Sequence, residues 1–376
     1  MEDNLIKINR GLYPLAWLYG LGVNFRNLLF DWGILRSRSF DIPVISVGNI
    51  TVGGTGKTPH TEYLVRLLQS EFQVAVLSRG YKRKSKGFRL VETDMPVEQV
   101  GDEPYQMKSK FPNVCVAVDK DRCHGIDQLC SGQMGKDIEV VLLDDAFQHR
   151  YVQPGISILL VDYNRLIEND ALLPAGRLRE PASSKHRANM VVVTKCPDDI
   201  KPMDYRVLSK RLDLYPYQQL YFSTLRYGDL RPLMPDAASE RVSLKDLSAE
   251  DEVLLFTGIA SPSQMEADLE RIPVRVRTMA FADHHFFSPK DIRRMAQEFQ
   301  QLTAERKFIV TTEKDAVRLA RLPFLDDSLK RHIYVLPIEI EFLQNQQDRF
   351  NQNIIGYVRK NKRNSILYQG TDAHKS

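Results

Sequence analysis

Cysteine is scarce: four in 376 residues (Cys115, Cys123, Cys130 and Cys196), with no Cys-x-x-Cys pair and no matched histidine spacing. That argues against a zinc site and offers no disulfide framework, so the chain fits a reducing cytoplasm. A surplus of one charge is lacking too. The formal net charge of +4 is too weak to argue for nucleic acid, yet it is compatible with an anionic membrane surface or a phosphorylated substrate. No run is long enough to cross a bilayer. The stretch from Gly11 to Phe25 is uncharged and rich in Leu, Trp and Tyr, but a spanning helix needs about 20 apolar residues, and Arg26 and Asp31 interrupt it. A cleaved leader is not expected either, because Glu2 and Asp3 stand where positive charge belongs and no small-x-small site follows. No internal repeat or low-complexity tract stands out, and the length accommodates two buried cores.

What is present begins with a phosphate-cradling pattern. Val44 to Gly48 is a short β-type run that leads through Asn49 and Ile50 into Thr51-Val52-Gly53-Gly54-Thr55-Gly56-Lys57-Thr58. Backbone N–H groups between small residues can wrap a polyphosphate, Lys57 can reach its outer phosphates, and the Thr58 hydroxyl can ligate Mg²⁺. Thr51 stands where the generic pattern has glycine, so the flexibility is expected from Gly53 and Gly54. A tight turn that happens to contain Gly-Lys-Thr is the plainer alternative. The preceding strand, and Thr61 to Leu68 continuing as a helix, favour the nucleotide site.

Downstream, apolar runs at 73–78, 114–118, 138–143, 156–161 and 190–194 alternate with helical stretches. Runs apolar on both faces predict a parallel sheet covered by helices on both sides. The fold class is therefore α/β: a P-loop NTPase-like sheet, a second smaller α/β domain, and an amphipathic N-terminal helix. In that helix Leu15, Leu18, Gly22, Phe25, Leu29 and Trp32 recur at helical spacing. The stripe suits a membrane interface, with Tyr13, Trp17 and Tyr19 at headgroup level, or equally a helix docked on the protein's own core. The expected divisions are an interfacial helix region at 1–38, a core domain at 39–215, a linker or ribbon at 216–237, a second domain at 238–358 and a frayed polar tail at 359–376. In the second domain Ser261-Pro262-Ser263-Gln264 and Ser288-Pro289-Lys290-Asp291 look like capped helix starts.

Several residues could carry chemistry. Val140 to Leu143 ends in Asp144 and Asp145, the arrangement that holds Mg²⁺ beside a P-loop; neighbouring strand residues face oppositely, so either is the candidate ligand. Asp102 and Glu103 precede Pro104 at a helix start, where acids also serve the helix dipole; Asp102 could accept the proton of an attacking hydroxyl. Asp283-His284-His285 holds the paired histidines of the chain, a pattern that also serves packing and capping. The loop from Pro174 to Pro181 presents Arg177, Arg179 and Glu180, suited to phosphate neutralisation, a metal shell or simply a solvated turn. Arg79, Lys82, Arg83 and Lys84 give a basic edge where open α/β sheets bind ligands. Val193-Thr194-Lys195 and Thr312-Glu313-Lys314-Asp315 are candidate adenine contacts.

Taken in order, Gly48 to Pro59, Ser78-Arg79-Gly80-Tyr81, Gly101-Asp102-Glu103-Pro104, the Leu-Leu-Asp-Asp-Ala-Phe-Gln-His run ending at His149, Pro174 to Pro181 and Asp283-His284-His285 resemble the tetraacyldisaccharide 4′-kinase family of lipid A biosynthesis. The likeness extends over roughly residues 12–320 and includes Thr51. It implies ATP-dependent phosphorylation of the 4′-hydroxyl of a tetraacylated glucosamine disaccharide 1-phosphate, with ATP and Mg²⁺ as cofactors. The implied place is the cytoplasmic face of a bacterial inner membrane, with a lipid substrate and no obligate protein partner or nucleic acid. It assigns catalysis to Asp102 with His284, His285 being the spare candidate, supported by Lys57 and Arg179. Nucleotide binding falls on Thr51 to Thr58, and the metal on Thr58, Asp144, Asp145 and Glu180. The competing class is a P-loop switch or metallochaperone-type NTPase acting on a protein partner.

Overall fold

The computed structural model describes residues 8–132, 137–234, 240–259, 262–283 and 285–372; the Gln264 side chain and those beyond Asn361 are outside the description. The strands are β1 Val44–Gly48, β2 Val74–Ser78, β3 Arg89–Leu90, β4 Cys115–Val118, β5 Val140–Asp144, β6 Ile156–Asp162, β7 Met190–Thr194, β8 Gln219–Tyr227, β9 Arg231–Pro232, β10 Glu252–Thr257, β11 Arg275–Ala280, β12 Lys307–Thr312, β13 Ile333–Leu336 and β14 Ile338–Phe342. The helices are α1 Tyr13–Asp31, α2 Lys57–Leu68, α3 Val97–Val100, α4 Asp102–Lys110, α5 Arg122–Cys130, α6 Pro202–Leu212, α7 Pro262–Leu269, α8 Pro289–Gln300, α9 Glu313–Leu319, α10 Asp327–Lys330 and α11 Gln347–Asp372.

Two compact units emerge, Met1–Leu225 with Ile340–Ser376, and Arg226–Glu339. The first is built on a nine-stranded sheet in the order β14-β8-β7-β6-β1-β5-β2-β4-β3. From β8 to β4 every neighbouring pair is parallel, and β3 closes that edge antiparallel. Every residue of β1, β2, β5 and β7 is buried, which is why these strands appear in the sequence as unbroken apolar runs. The second unit holds a five-stranded sheet, β11-β10-β12-β13-β9, parallel except for β9. Ser288 caps α8 as expected, with reciprocal bonds to Asp291, and Ile292, Met295 and Phe299 bury its apolar face. The Ser261 cap falls outside the described residues.

Three boundaries differ from expectation. Residues 216–237 are not a linker, because Gln219–Tyr227 forms a strand of the first sheet with Tyr221 and Phe222 in its interior. The polar alternation there is that of a strand near the sheet margin. The second unit ends near 339 rather than 358, and the chain returns to the first unit through β14 and then α11. That helix continues to Asp372 where a frayed tail was expected from 359. Phe350, Ile354 and Val358, at i, i+4 and i+8, are buried on one face; each contributes about 1.5–3 kcal/mol by leaving water.

Helix α1 forms as its spacing predicts but presents the apolar stripe outward. Leu15, Leu18, Phe25 and Trp32 are exposed, and Trp17 retains 65% of its surface. Its packed side is made by Ala16, Gly20 and Phe30. A Cβ at Gly20 would fall 2.7 Å from Leu172 Cδ1, so glycine permits that close approach. Arg150 holds the far end through Asp31 at 2.6 Å and Asn27 O at 2.9 Å. No helix among the described residues is long and apolar enough to cross a membrane.

Candidate active site

The phosphate loop lies between β1, the middle strand of the β6-β1-β5 trio, and α2. At the end of β1 a Cβ on Gly48 would come within 2.7 Å of Phe147 Cβ, so glycine lets the acidic turn after β5 press against the loop. Asn49, fully buried, donates to Thr55 Oγ1 at 2.7 Å and ties the two ends of the loop together. Thr51 makes an antiparallel bridge to Leu178, with Val52 N donating to Arg177 O at 2.8 Å and Arg179 N to Ile50 O at 2.7 Å. An extended residue suits that bridge, which explains why threonine replaces glycine there; the positive φ falls on Gly53 and Gly56 instead. The Pro174–Pro181 loop thus forms one wall of the phosphate loop.

The acidic turn forms the other wall. Strands β1 and β5 are adjacent and parallel, with Val47 in register with Asp144. Asp144 is buried and accepts from Thr61 Oγ1 at 3.1 Å. Burial pushes its carboxyl up to about 6, with Asp145 and Glu103 adding like charge and Lys57 opposing them. Asp145, in the left-handed region at φ 46°, turns to the other side. There it meets Lys57 Nζ at 3.7 Å and Arg179 Nη1 at 3.3 Å. Both acids therefore belong to one electrostatic centre with Lys57, Arg179 reaches it, and Thr58 lies in the first turn of α2. Glu180, expected at the metal, is buried and pairs through one oxygen with Arg187 at 2.5 Å, its other oxygen having no partner among the described residues.

Asp102 opens α4 and is buried. Its helix is locked to α2 by Glu62, which accepts Gln106 Nε2 at 2.9 Å and Lys110 Nζ at 2.5 Å. Glu103, the next residue, is close enough to Asp144 to raise its carboxyl, so the α4 start borders the acidic turn. In the second unit His284 lies outside the described residues. His285 is already engaged: its Nε2 pairs with Asp291 at 3.0 Å, and its ring stacks on Phe281 at 4.7 Å. Asp283 pairs with Lys314 at 2.7 Å.

Sequence reading passed over Arg122. It is buried at the start of α5, and burial with Arg79 nearby lowers its guanidinium to about 10, while Asp145, Asp144 and Asp119 oppose that. Its Nε has no partner among the described residues. Only its place just past the carboxyl end of β4 could have marked it within the charged run Asp119 to Arg122. His149 shares this corner; burial and then Arg122 press its imidazole down to about 4. Asp121, Cys123 and His149 present ligand atoms within 4.8 Å of one another, but Arg122, Arg26 and Arg79 all disfavour positive charge at His149. The corner suits an anion better than a metal ion.

A parallel sheet with this loop, lysine and paired acids at its carboxyl edge defines a P-loop kinase-type phosphotransferase. Residues 8–358 match the Tetraacyldisaccharide-1-P 4′-kinase family. The chain is 61% identical over 365 residues to the tetraacyldisaccharide 4′-kinase of Phocaeicola vulgatus, covering 97% of this chain and 99% of that one. To the Bacteroides fragilis enzyme of the same name it is 58% identical over the full length of both. The crystal structure of LpxK from Aquifex aeolicus in complex with ATP superposes with a TM-score of 0.70 at 30% identity, covering 93% of this chain and 99% of that one. The chain belongs to the tetraacyldisaccharide 4′-kinase family, lipid kinases that use ATP to phosphorylate the 4′ position of a lipid A precursor.

Proposed function

We propose that this chain transfers the terminal phosphoryl of ATP to the 4′-hydroxyl of a tetraacylated glucosamine disaccharide 1-phosphate, with Asp102 accepting the hydroxyl proton. The observation that carries this reading is the convergence of Lys57, Arg179 and the Asp144–Asp145 pair on one sheet edge. Phosphoryl transfer is mostly positioning and charge stabilisation, and this edge supplies both. The loop from Thr51 to Thr58 cradles the triphosphate. Lys57 and Arg179 draw charge off the phosphoryl in flight, and Asp102 removes the proton from the attacking oxygen.

Mg²⁺ fits the acidic turn, because the mutual repulsion that helps raise the Asp144 carboxyl would be relieved by a divalent cation. Thr58 with Asp144 or Asp145 would hold it, and it would supply neutralisation of the triphosphate's charge. Arg79, Arg122 and neutral His149 form a cationic corner available to the sugar's own phosphate. His284 is proposed as a further catalytic residue on the strength of the family resemblance alone.

Four acyl chains keep the acceptor in its bilayer, so the enzyme works at the membrane surface, on the cytoplasmic side where ATP is found. The exposed stripe of α1 is the anchor. The packed side of that helix touches the site walls directly, Tyr19 Oη donating to Arg179 O at 2.9 Å and Arg26 Nη2 to Gln148 O at 3.0 Å. Replacing Asp102→Ala tests the reading. Turnover is expected to fall on the order of 10²–10⁴-fold, with ATP affinity within about twofold of the parent. Unchanged turnover in a folded Asp102→Ala protein removes the proposed base.

A further inference from the structure

Two consecutive peptide units at the foot of the phosphate loop have their carbonyls tied into the interior by side chains. Thr55 O accepts the Thr194 hydroxyl at 3.0 Å. Gly56 O accepts the His60 backbone N–H at 3.2 Å and, in addition, His60 Nδ1 at 2.7 Å. Across the ring, His60 Nε2 lies 3.0 Å from Ser223 Oγ on β8. His60, Thr194 and Ser223 are all buried.

Hydrogen-bond chemistry gives this chain of contacts one direction. A carbonyl oxygen only accepts, so Nδ1 carries the proton. Nε2 is then the bare nitrogen, and Ser223 donates to it. A trans peptide is planar, with its C=O and N–H pointing to opposite sides. Holding Gly56 O toward the interior therefore turns the Lys57 N–H away from it, and holding Thr55 O does the same for the Gly56 N–H. Gly56 caps α2 without any side-chain bond, at φ 83°, so His60 supplies a restraint that the cap itself lacks.

We propose that His60, oriented by Ser223, is a positioning residue that aims the Lys57 N–H and the base of the Lys57 side chain at the triphosphate. The inference rests on the nucleotide reading of the loop given above. A purely space-filling role would be met more cheaply by an aliphatic side chain, since a buried imidazole must find partners for both nitrogens. Here both are found, and one of them is the last carbonyl before the phosphate-binding lysine.

The test compares His60→Leu, His60→Asn, Ser223→Ala and Lys57→Ala, each checked by its melting temperature, for the KM of ATP, the KM of the lipid and kcat. Losing one oriented hydrogen bond predicts an ATP KM about tenfold higher in His60→Leu, with the lipid KM within about twofold of the parent. Asparagine places an N–H donor near the position of Nδ1, so His60→Asn should recover most of the loss. Ser223→Ala should raise the ATP KM about threefold. The inference is overturned if His60→Leu leaves the ATP KM unchanged. It is equally overturned if both KM values rise together in step with lost thermal stability, or if asparagine is no better than leucine in equally stable proteins. Should His60→Leu fail to fold, His60→Asn and Ser223→Ala decide: a parental ATP KM in Ser223→Ala ends the proposal. Lys57→Ala separates the two layers. If that variant transfers phosphate at the parental rate the nucleotide reading itself fails, whereas a strongly impaired Lys57→Ala beside a parental His60→Leu removes the His60 inference alone.

Discussion

At the carboxyl edge of the first sheet Lys57 stands 3.7 Å from Asp145, and the neighbouring Asp144 is held near 6 by burial and repulsion. At the corresponding edge of the second sheet, Asp315 Oδ2 accepts from Thr257, Gly258 and Thr312 at 2.8–2.9 Å, and Lys314 closes on Asp283 at 2.7 Å. Both edges belong to parallel sheets and carry glycine, threonine, lysine and aspartate. In the second the buried carboxylate is held by neutral donors and helps cap α9, and the lysine closes on an exposed acid; in the first, two adjacent carboxylates repel one another beside Lys57 and Arg179, a repulsion that a metal-bearing ligand would relieve. Residue types alone do not mark a site. What marks it is two adjacent carboxylates and two cations that the fold gathers at one phosphate loop.

The comparison breaks if the two lysines behave alike. Lys57→Ala is expected to lower turnover on the order of 10³-fold, whereas Lys314→Ala should stay within about threefold in the same steady-state assay, its partner being an exposed carboxylate. A second contrast lies in α1. Trp17→Glu combined with Phe25→Glu should weaken binding to anionic vesicles at least about tenfold in a sedimentation assay, while activity on detergent-dispersed substrate is retained. Equal loss in both settings would mean that the stripe serves the fold instead.

Stability sharpens the contrast from the other side. Asp315→Ala removes the acceptor of three buried donors and should cost about 2–3 kcal/mol in denaturant unfolding, with the ATP KM unmoved; a change in KM would bring that edge into the site. The smallest effect concerns pH. Burial holds the His60 imidazole down from 6.5 to about 4, so on acidification the unfolded chain takes up a proton that the folded chain refuses. The stability is therefore fully present above about 6.5 and declines as pH falls toward 4. His60→Asn should make that decline shallower by about 1 kcal/mol per pH unit, read from unfolding midpoints across the interval.

The features that were legible in the sequence are contiguous ones. The loop from Thr51 to Thr58, the acids after β5 and the cap at Ser288 each follow from neighbours in the chain, because a strand end, a turn and a helix start are local events. Arg122 and the His60–Ser223 contact are not local. Their meaning depends on partners brought in from other strands, and within the chain they look like members of a charged run and an amphipathic helix. The segment 216–237 was misread for the opposite reason. Its polar alternation is a true strand signal, but only the sheet shows which neighbour it pairs with. For α1 the spacing predicted the helix but left its buried side undecided, which Gly20 against Leu172 resolves.

The central claim is that the first sheet's edge delivers phosphate to an alcohol anchored in a bilayer. It is tested most directly by incubating the full chain with γ-labelled ATP, Mg²⁺ and vesicles containing tetraacylated disaccharide 1-phosphate, then locating the label. The account predicts label in a lipid monoester at the 4′ position, lost in Lys57→Ala. Label released only as free phosphate, with the lipid unmodified, would contradict it and favour a nucleotide switch.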